Sequence, residues 1–181
     1  MYTNIERAIH FAFIANKGQK RKNENIDFTF HPISVGMILK EYNFKDEIII
    51  TGILHDIIED TNYSYEDIKK EFGEKIANNV LFISEDKNIK NPLERKKDII
   101  KRLENADINI LMVECADKLH NLISDYNLFQ QIENKIWNRS LLSIDENKWF
   151  YKELLNIFKS NKEHNKELVQ RYENIVNYYF K

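Results

Sequence analysis

One cysteine, two prolines and four glycines are all that this chain holds of those residue types, and each shortage excludes something. With Cys115 alone, no intrachain disulfide can form, and a reducing, cytosolic setting fits. Strand-rich folds need frequent turns, so the scarcity of glycine and proline predicts long helices joined by short links. No apolar run approaches the roughly 20 residues of a membrane span. The opening stretch MYTNIERAIHFAF, broken by Glu6, Arg7 and His10, lacks the apolar core of a signal peptide. The chain therefore reads as soluble and cytoplasmic, with no membrane partner. An excess of one charge is missing as well: 27 basic side chains face 29 acidic ones, for a net charge of −2. That excludes the broad basic field of a protein that grips long nucleic acid. A small anionic ligand would need a local basic pocket instead.

What is present is apolar material: 43% of the 181 residues are hydrophobic, enough for one buried core and rather little for two. A single all-α domain over residues 1–181 is the expectation. Ile5, Ala8, Ile9, Ala12 and Phe13 recur at helical spacing after Thr3, a candidate N-cap. A basic stretch, GQKRKNENIDFTF, has no helical period and reads as a loop ending at His31-Pro32, where Pro32 suits the first turn of a helix. From Asp46 the segment IIITGILHDII is apolar almost all round, as in a helix buried in the middle of a fold. Ser64 and Asp67 form a capping pattern, and Gly73 is a plausible stop. Residues 84–91 read as a polar loop, after which Pro92 opens a basic helix. A buried helix is predicted from Asp107 to about Tyr126, and two C-terminal helices lie within about 147–180.

Three polar groups sit where a bland helical protein would place apolar residues. They are His31, the pair His55-Asp56 inside ITGILHDIIEDT, and Asp117 inside VECADKLHNL. A buried, ionised carboxylate is costly unless a cation or hydrogen-bond network meets it. Two histidines and two aspartates make a mixed donor set, better suited to Mn²⁺, Fe²⁺, Co²⁺ or Zn²⁺ than to an all-oxygen calcium cage. Glu59 lies four residues after His55, and Asp60 four after Asp56, one helical turn beyond each proposed ligand. A metal beside such acids can lower the pKa of a bound water from about 15.7 towards roughly 7, and an acid can orient that water or move its proton. Arg21 and Lys22 could neutralise phosphate oxygens.

The series GQKRK, HP, HDIIEDT, a helix ending in FG, and ADKLHNL resembles the HD hydrolase domain of the RelA/SpoT homologues, above all the stand-alone small alarmone hydrolases. The motifs cover residues 8–122, with a weaker likeness to about Phe158. The resemblance implies that His31, His55, Asp56 and Asp117 hold one divalent metal, typically Mn²⁺, and that Glu59 and Asp60 are the catalytic acids. Arg21, Lys22, Lys118 and Asn121 would contact substrate. The implied reaction is hydrolysis of the 3′-pyrophosphate of (p)ppGpp to GDP or GTP and pyrophosphate. Residues 123–181 are too few and too helical in pattern to hold the synthetase half of the long family members. One departure stands out. The family usually carries Pro-Tyr before the HP histidine, whereas this chain reads IDFTFHP, and Phe28 keeps the ring without the hydroxyl.

Other readings compete. The same site could act on another 3′-phosphorylated or toxic nucleotide, could sense a nucleotide without turnover, or could belong to a plain helical interaction protein. A homo-oligomer and a partner synthetase making an alarmone or toxic nucleotide are both left open. His120 is expected to pack or to support the site, His10 could support it from the first helix, and His164 is expected on the surface. Trp137, Trp149 and the late tyrosines are expected in the core or a subunit contact, and Cys115 as a small buried residue. The helix bearing Arg95, Lys96 and Lys97 is expected on the surface, with phosphate contact as the alternative.

Overall fold

Five helix starts among the described residues are built by side chains that reach nearby backbone N–H groups. The Glu6 N–H donates to Thr3 Oγ1 (3.2 Å) while the Thr3 N–H donates to the Glu6 carboxylate (2.7 Å), which opens α1 (Asn4–Ala15). Ser64 and Asp67 repeat the device at α5 (Tyr65–Phe72), as do Ser143 and Glu146 at α9 (Ile144–Ser160). Asn91 caps α7 (Pro92–Leu103), where Pro92 fills a position that needs no N–H donor. The remaining helices are α2 (Phe30–Glu41), α3 (Asp46–Leu54), α4 (Ile57–Asp60), α6 (Glu74–Ile83), α8 (Ile108–Ile132) and α10 (Lys166–Tyr179). The computed structural model describes residues 1–21, 26–132 and 141–180, with the backbone alone given for 129–132. Among the described residues there is no strand, only an isolated bridge between Lys20 and Asp27. The all-α expectation is met. No helix in the described residues is long and apolar enough to cross a membrane.

The chain divides into two compact units, Met1–Ser84 and Glu85–Lys181. In the first, α3 lies at the centre and packs against α1, α2 and α6. Ile48, Ile49, Ile50, Ile53 and Leu54 are all buried, so the all-round apolar pattern does mark a central helix. Two glycines let α2 and α3 approach closely. A Cβ built on Gly36 would lie 2.5 Å from Ile53 Cγ1, and one on Gly52 would lie 2.5 Å from Leu39 Cδ1. Because α2 and α3 are joined by a short turn, the start of α2 and the end of α3 share one end of this pair. His31 and His55 sit there.

The central helix is shorter than its apolar pattern predicts. It ends at Leu54, leaves His55 and Asp56 outside regular helix, and resumes for the single turn of α4. The cause is local: His55 Nδ1 contacts the Gly52 carbonyl at 2.7 Å, an acceptor that a continuing helix would use, and Asp56 sits at φ −89°, ψ −4°. His31, expected just ahead of a helix, lies inside the first turn of α2. Gly73, at φ +89°, both stops α5 and starts α6, a backbone region that favours glycine.

In the second unit, α8 packs against α9 and α10, and α9 also packs on α7. Phe150, Phe158 and Tyr172 are its largest fully buried side chains, with the Phe158 and Tyr172 rings edge-on at 5.3 Å. The Tyr172 hydroxyl donates to the Tyr151 carbonyl at 3.0 Å, which satisfies the one polar atom of that core ring. Helix α8 runs beyond the expected end at Tyr126. Trp149 is half-buried, and Trp137 lies outside the described residues.

Candidate metal centre

The first unit brings three of the expected ligands together. His31 and His55 are buried, their rings 5.1 Å apart and tilted by 73°. Asp56 reaches both: Oδ2 is 3.6 Å from His31 Nε2, and Oδ1 is 3.2 Å from His55 Nε2. The Gly52 carbonyl can only accept, so His55 Nδ1 carries a proton. In the neutral ring Nε2 then presents its lone pair towards a carboxylate oxygen. Two lone pairs so placed repel unless a proton or a cation lies between them. An imidazole whose far nitrogen is tied to a backbone carbonyl is the usual form of a metal-binding histidine. Phe28 stands edge-on to His31, with ring centroids 6.2 Å apart.

The acids that follow are held by α4. The Asp60 N–H donates to the Asp56 carbonyl at 2.9 Å, which places Asp60 one turn past Asp56 as expected, and Glu59 lies in the same short helix. Glu59 is half-buried and Asp60 exposed. The Asp60 carbonyl accepts from Gln19 Nε2 at 2.7 Å, tying α4 to the basic loop. In that loop the Arg21 N–H donates to the Ile26 carbonyl, and the Phe28 N–H to the Gln19 carbonyl. Asp27 accepts from both the Thr29 N–H and hydroxyl, which hold its carboxyl below the usual range. Lys22 lies outside the described residues.

The second unit supplies Asp117, buried on α8. Asn121 Nδ2 donates to its Oδ1 at 2.7 Å, and the Lys118 ammonium pairs with its Oδ2. Lys118 also pairs with Glu114 Oε1 at 3.1 Å. Burial alone would lower the Lys118 pKa, but Asp117 and Glu114, with Glu85 further off, outweigh it and hold it well above the ordinary lysine value. Burial raises the Glu114 carboxyl despite the opposing ammonium. A carboxylate has about four acceptor positions, and Asn121 and Lys118 are among the groups that meet those of Asp117. His31 and His55 in the first unit, and Asp117 in the second, are each buried side chains of the kind that ligate divalent metals.

Sequence reasoning missed Glu114 and Glu85. Glu114 is as buried as Asp117, and only its spacing of one turn from Lys118, in an otherwise apolar stretch, could have betrayed it. Glu85 sits in what reads as a polar loop, yet it draws in Arg95 (3.1 Å) and Lys96 (2.6 Å) from α7. Those two cations are half-buried rather than plain surface, and Lys96 also lies over the Phe150 ring at 4.7 Å. His120 is buried, as packing or support of the site requires, and His10 is exposed. His164, expected on the surface, is half-buried with Nδ1 against the Asn161 carbonyl. Cys115 is fully buried, and burial pushes its thiol well up, with Glu114 adding to the effect.

Comparison with known proteins decides the family. The HD domain profile matches residues 8–141, a span that takes in His31, His55-Asp56 and Asp117. The chain belongs to the HD domain family. Among relatives, the guanosine-3′,5′-bis(diphosphate) 3′-pyrophosphohydrolase MESH1 of Xenopus tropicalis is 34% identical over 121 residues, covering 65% of this chain and 67% of its own. The Aquifex aeolicus guanosine-3′,5′-bis(diphosphate) 3′-pyrophosphohydrolase is 33% identical over 120 residues. A Streptomyces coelicolor GTP pyrophosphokinase is 32% identical over 121. This HD domain aligns with only 17% and 14% of the length of those two long proteins. Among solved structures, a metazoan ortholog of SpoT that hydrolyzes ppGpp superposes over 99% of this chain and 97% of its own, with a TM-score of 0.80 at 21% identity. A Listeria monocytogenes protein gives 0.74 at 27% identity, covering 83% of this chain and 98% of its own. HD hydrolases are metal-dependent, and the donors described above suit that chemistry.

Proposed function

We propose that residues 1–181 act as a single HD-type hydrolase domain that removes the 3′-pyrophosphate of (p)ppGpp, giving GDP or GTP and pyrophosphate, without synthetase activity. His31, His55, Asp56 and Asp117 hold one divalent cation, Mn²⁺ by preference. The observation that most supports this is the His31–Asp56–His55 cluster, with His55 Nδ1 tied to the Gly52 carbonyl and Nε2 turned to Asp56. When bound, such an ion supplies Lewis acidity toward a phosphoryl oxygen and lowers the pKa of water.

The chain's own residues supply the rest. Glu59 and Asp60, the acids of α4, orient the attacking water and accept its proton. Arg21 and Lys22 neutralise the pyrophosphate oxygens, as a guanidinium and an ammonium do well. Lys118 and Asn121 contact the nucleotide in this reading, and their bonds to Asp117 support a further task, holding that carboxylate in one orientation. The single, buried thiol suits a reducing compartment, so the cytoplasm is the proposed setting. A homo-oligomer and a dedicated nucleotide synthetase as partner remain compatible with this role.

The test is product analysis with ppGpp and Mn²⁺, with and without EDTA, beside an Asp56→Ala variant. Release of pyrophosphate and GDP, abolished by either perturbation, is the expected result. Intact ppGpp in the presence of protein that holds Mn²⁺ would overturn the alarmone assignment and turn the search to other nucleotides.

A further inference from the structure

One face of α8 carries four polar residues in register: Glu114, Asp117, Lys118 and Asn121, at the i, i+3, i+4 and i+7 positions of a helical stripe. Three of these have roles in the reading above, and Glu114 has none. It is 3% exposed, flanked by the fully buried Val113 and Cys115, and its Oε1 lies 3.1 Å from Lys118 Nζ. A buried carboxylate at this position is costly to keep, and a hydrocarbon side chain would fill the space at no such cost.

The charge arithmetic suggests what it does. Lys118 is shared between Asp117 Oδ2 and Glu114. Without Glu114, Asp117 and Lys118 would form a neutral pair, and a dication approaching Asp117 would meet an ammonium already compensating that carboxylate. With Glu114 the three groups carry a net charge of −1, and Lys118 has a second anion to lean on. Beyond these three groups, Lys96 also acts on Glu114, and Glu85 on Lys118.

We infer that Glu114 is a positioning residue: by sharing Lys118 it leaves Asp117 negative enough, and fixed enough, to bind a divalent cation. The inference rests on the proposed role of Asp117 as a metal ligand. Glu114 touches neither substrate nor cation. It acts through Lys118, and losing such a supporting partner weakens metal binding by about tenfold or more.

Calorimetric titration of Mn²⁺ alone into the full chain tests this without any substrate. Glu114→Gln, which keeps the shape and removes the charge, should weaken Mn²⁺ binding about tenfold. Glu114→Asp should recover most of the affinity. Lys118→Gln, whose amide can still donate to Asp117 while the competing charge is gone, should change it in the opposite direction, tightening Mn²⁺ binding, a reversal that mere structural damage does not produce. Unchanged affinity in Glu114→Gln, or equal loss in the Gln and Asp variants, overturns the inference while leaving the metal site intact. A wild-type chain that takes up no Mn²⁺ overturns the metal reading and this inference together. If Glu114→Gln does not fold, Lys118→Gln decides: tighter binding upholds the role, and unchanged or weaker binding refutes it.

Discussion

Gly36→Ala puts helix propensity and packing in direct opposition. Gly36 sits inside α2, and an alanine in a helix interior is favoured over glycine by about 1 kcal/mol. On propensity alone the variant should be more stable. The new Cβ, however, would stand 2.5 Å from Ile53 Cγ1 and 3.0 Å from Ile53 Cδ1, against an ordinary carbon–carbon separation of about 3.5–4.0 Å. Ile53 is 2% exposed and branched at Cβ, so its Cγ1 cannot swing away and the helices must part instead. Overpacking of this kind costs about 1–3 kcal/mol. The expected net effect is a loss of about 1 kcal/mol, the packing cost less the propensity gain. Urea unfolding at constant slope measures it. A second readout is Mn²⁺ affinity, because the same helix pair carries His31 at the start of α2 and His55 just beyond α3. Removing the obstacle should restore tolerance: Gly36→Ala combined with Ile53→Ala should be more stable than the two single changes add up to. A Gly36→Ala variant stabilised by the full propensity gain would refute the close approach of α2 and α3.

Two further outcomes follow from the electrostatics of the second unit. Burial would raise the Glu85 carboxyl, but Lys96, Lys118 and Arg95 together hold it below its ordinary 4.5. Its stabilisation is therefore complete above that value and lost as pH falls through the lower folded-state pKa, so Glu85→Gln should flatten the acid limb of the stability curve; an unchanged limb would remove Glu85 from the account. The Cys115 thiol, buried and pushed well up, should resist alkylation in the native protein at mildly alkaline pH and react at once in denaturant, as thiol counting would show.

The parts of this structure that were legible in the sequence are those set by residues close in the chain. A cap acts within about three residues, so Thr3 as an N-cap and Ser64 with Asp67 could be read directly, as could Pro92 at the start of α7. The family motifs were legible for a related reason: metal chemistry demands rare residue types, and histidine and aspartate stand out in an apolar run such as ITGILHDII. The helix break at His55-Asp56 was not legible. Periodicity counts apolar side chains, and that break comes from one imidazole taking the Gly52 carbonyl. The close approach at Gly36 and Gly52 was hidden too, because a glycine in a helix looks like a weak point until the neighbouring helix is in place.

Charged residues were the hardest to read, and the reason is physical. A basic run such as Arg95-Lys96-Lys97 has the same composition whether it is solvated or paired, and only the fold brings Glu85 to the first two while leaving Lys97 exposed beside Glu94. Glu114 is the sharper case. An acid inside a buried helix goes against every compositional expectation, so it has to be explained by what it meets. It meets Lys118, and Lys118 meets Asp117. On the proposed role of Asp117, the residues that make a ligand effective lie on the ligand's own helix, one turn away, chosen for charge rather than for contact with anything that reacts. On that proposal, the acid before ADKLHN belongs to this site together with the motif.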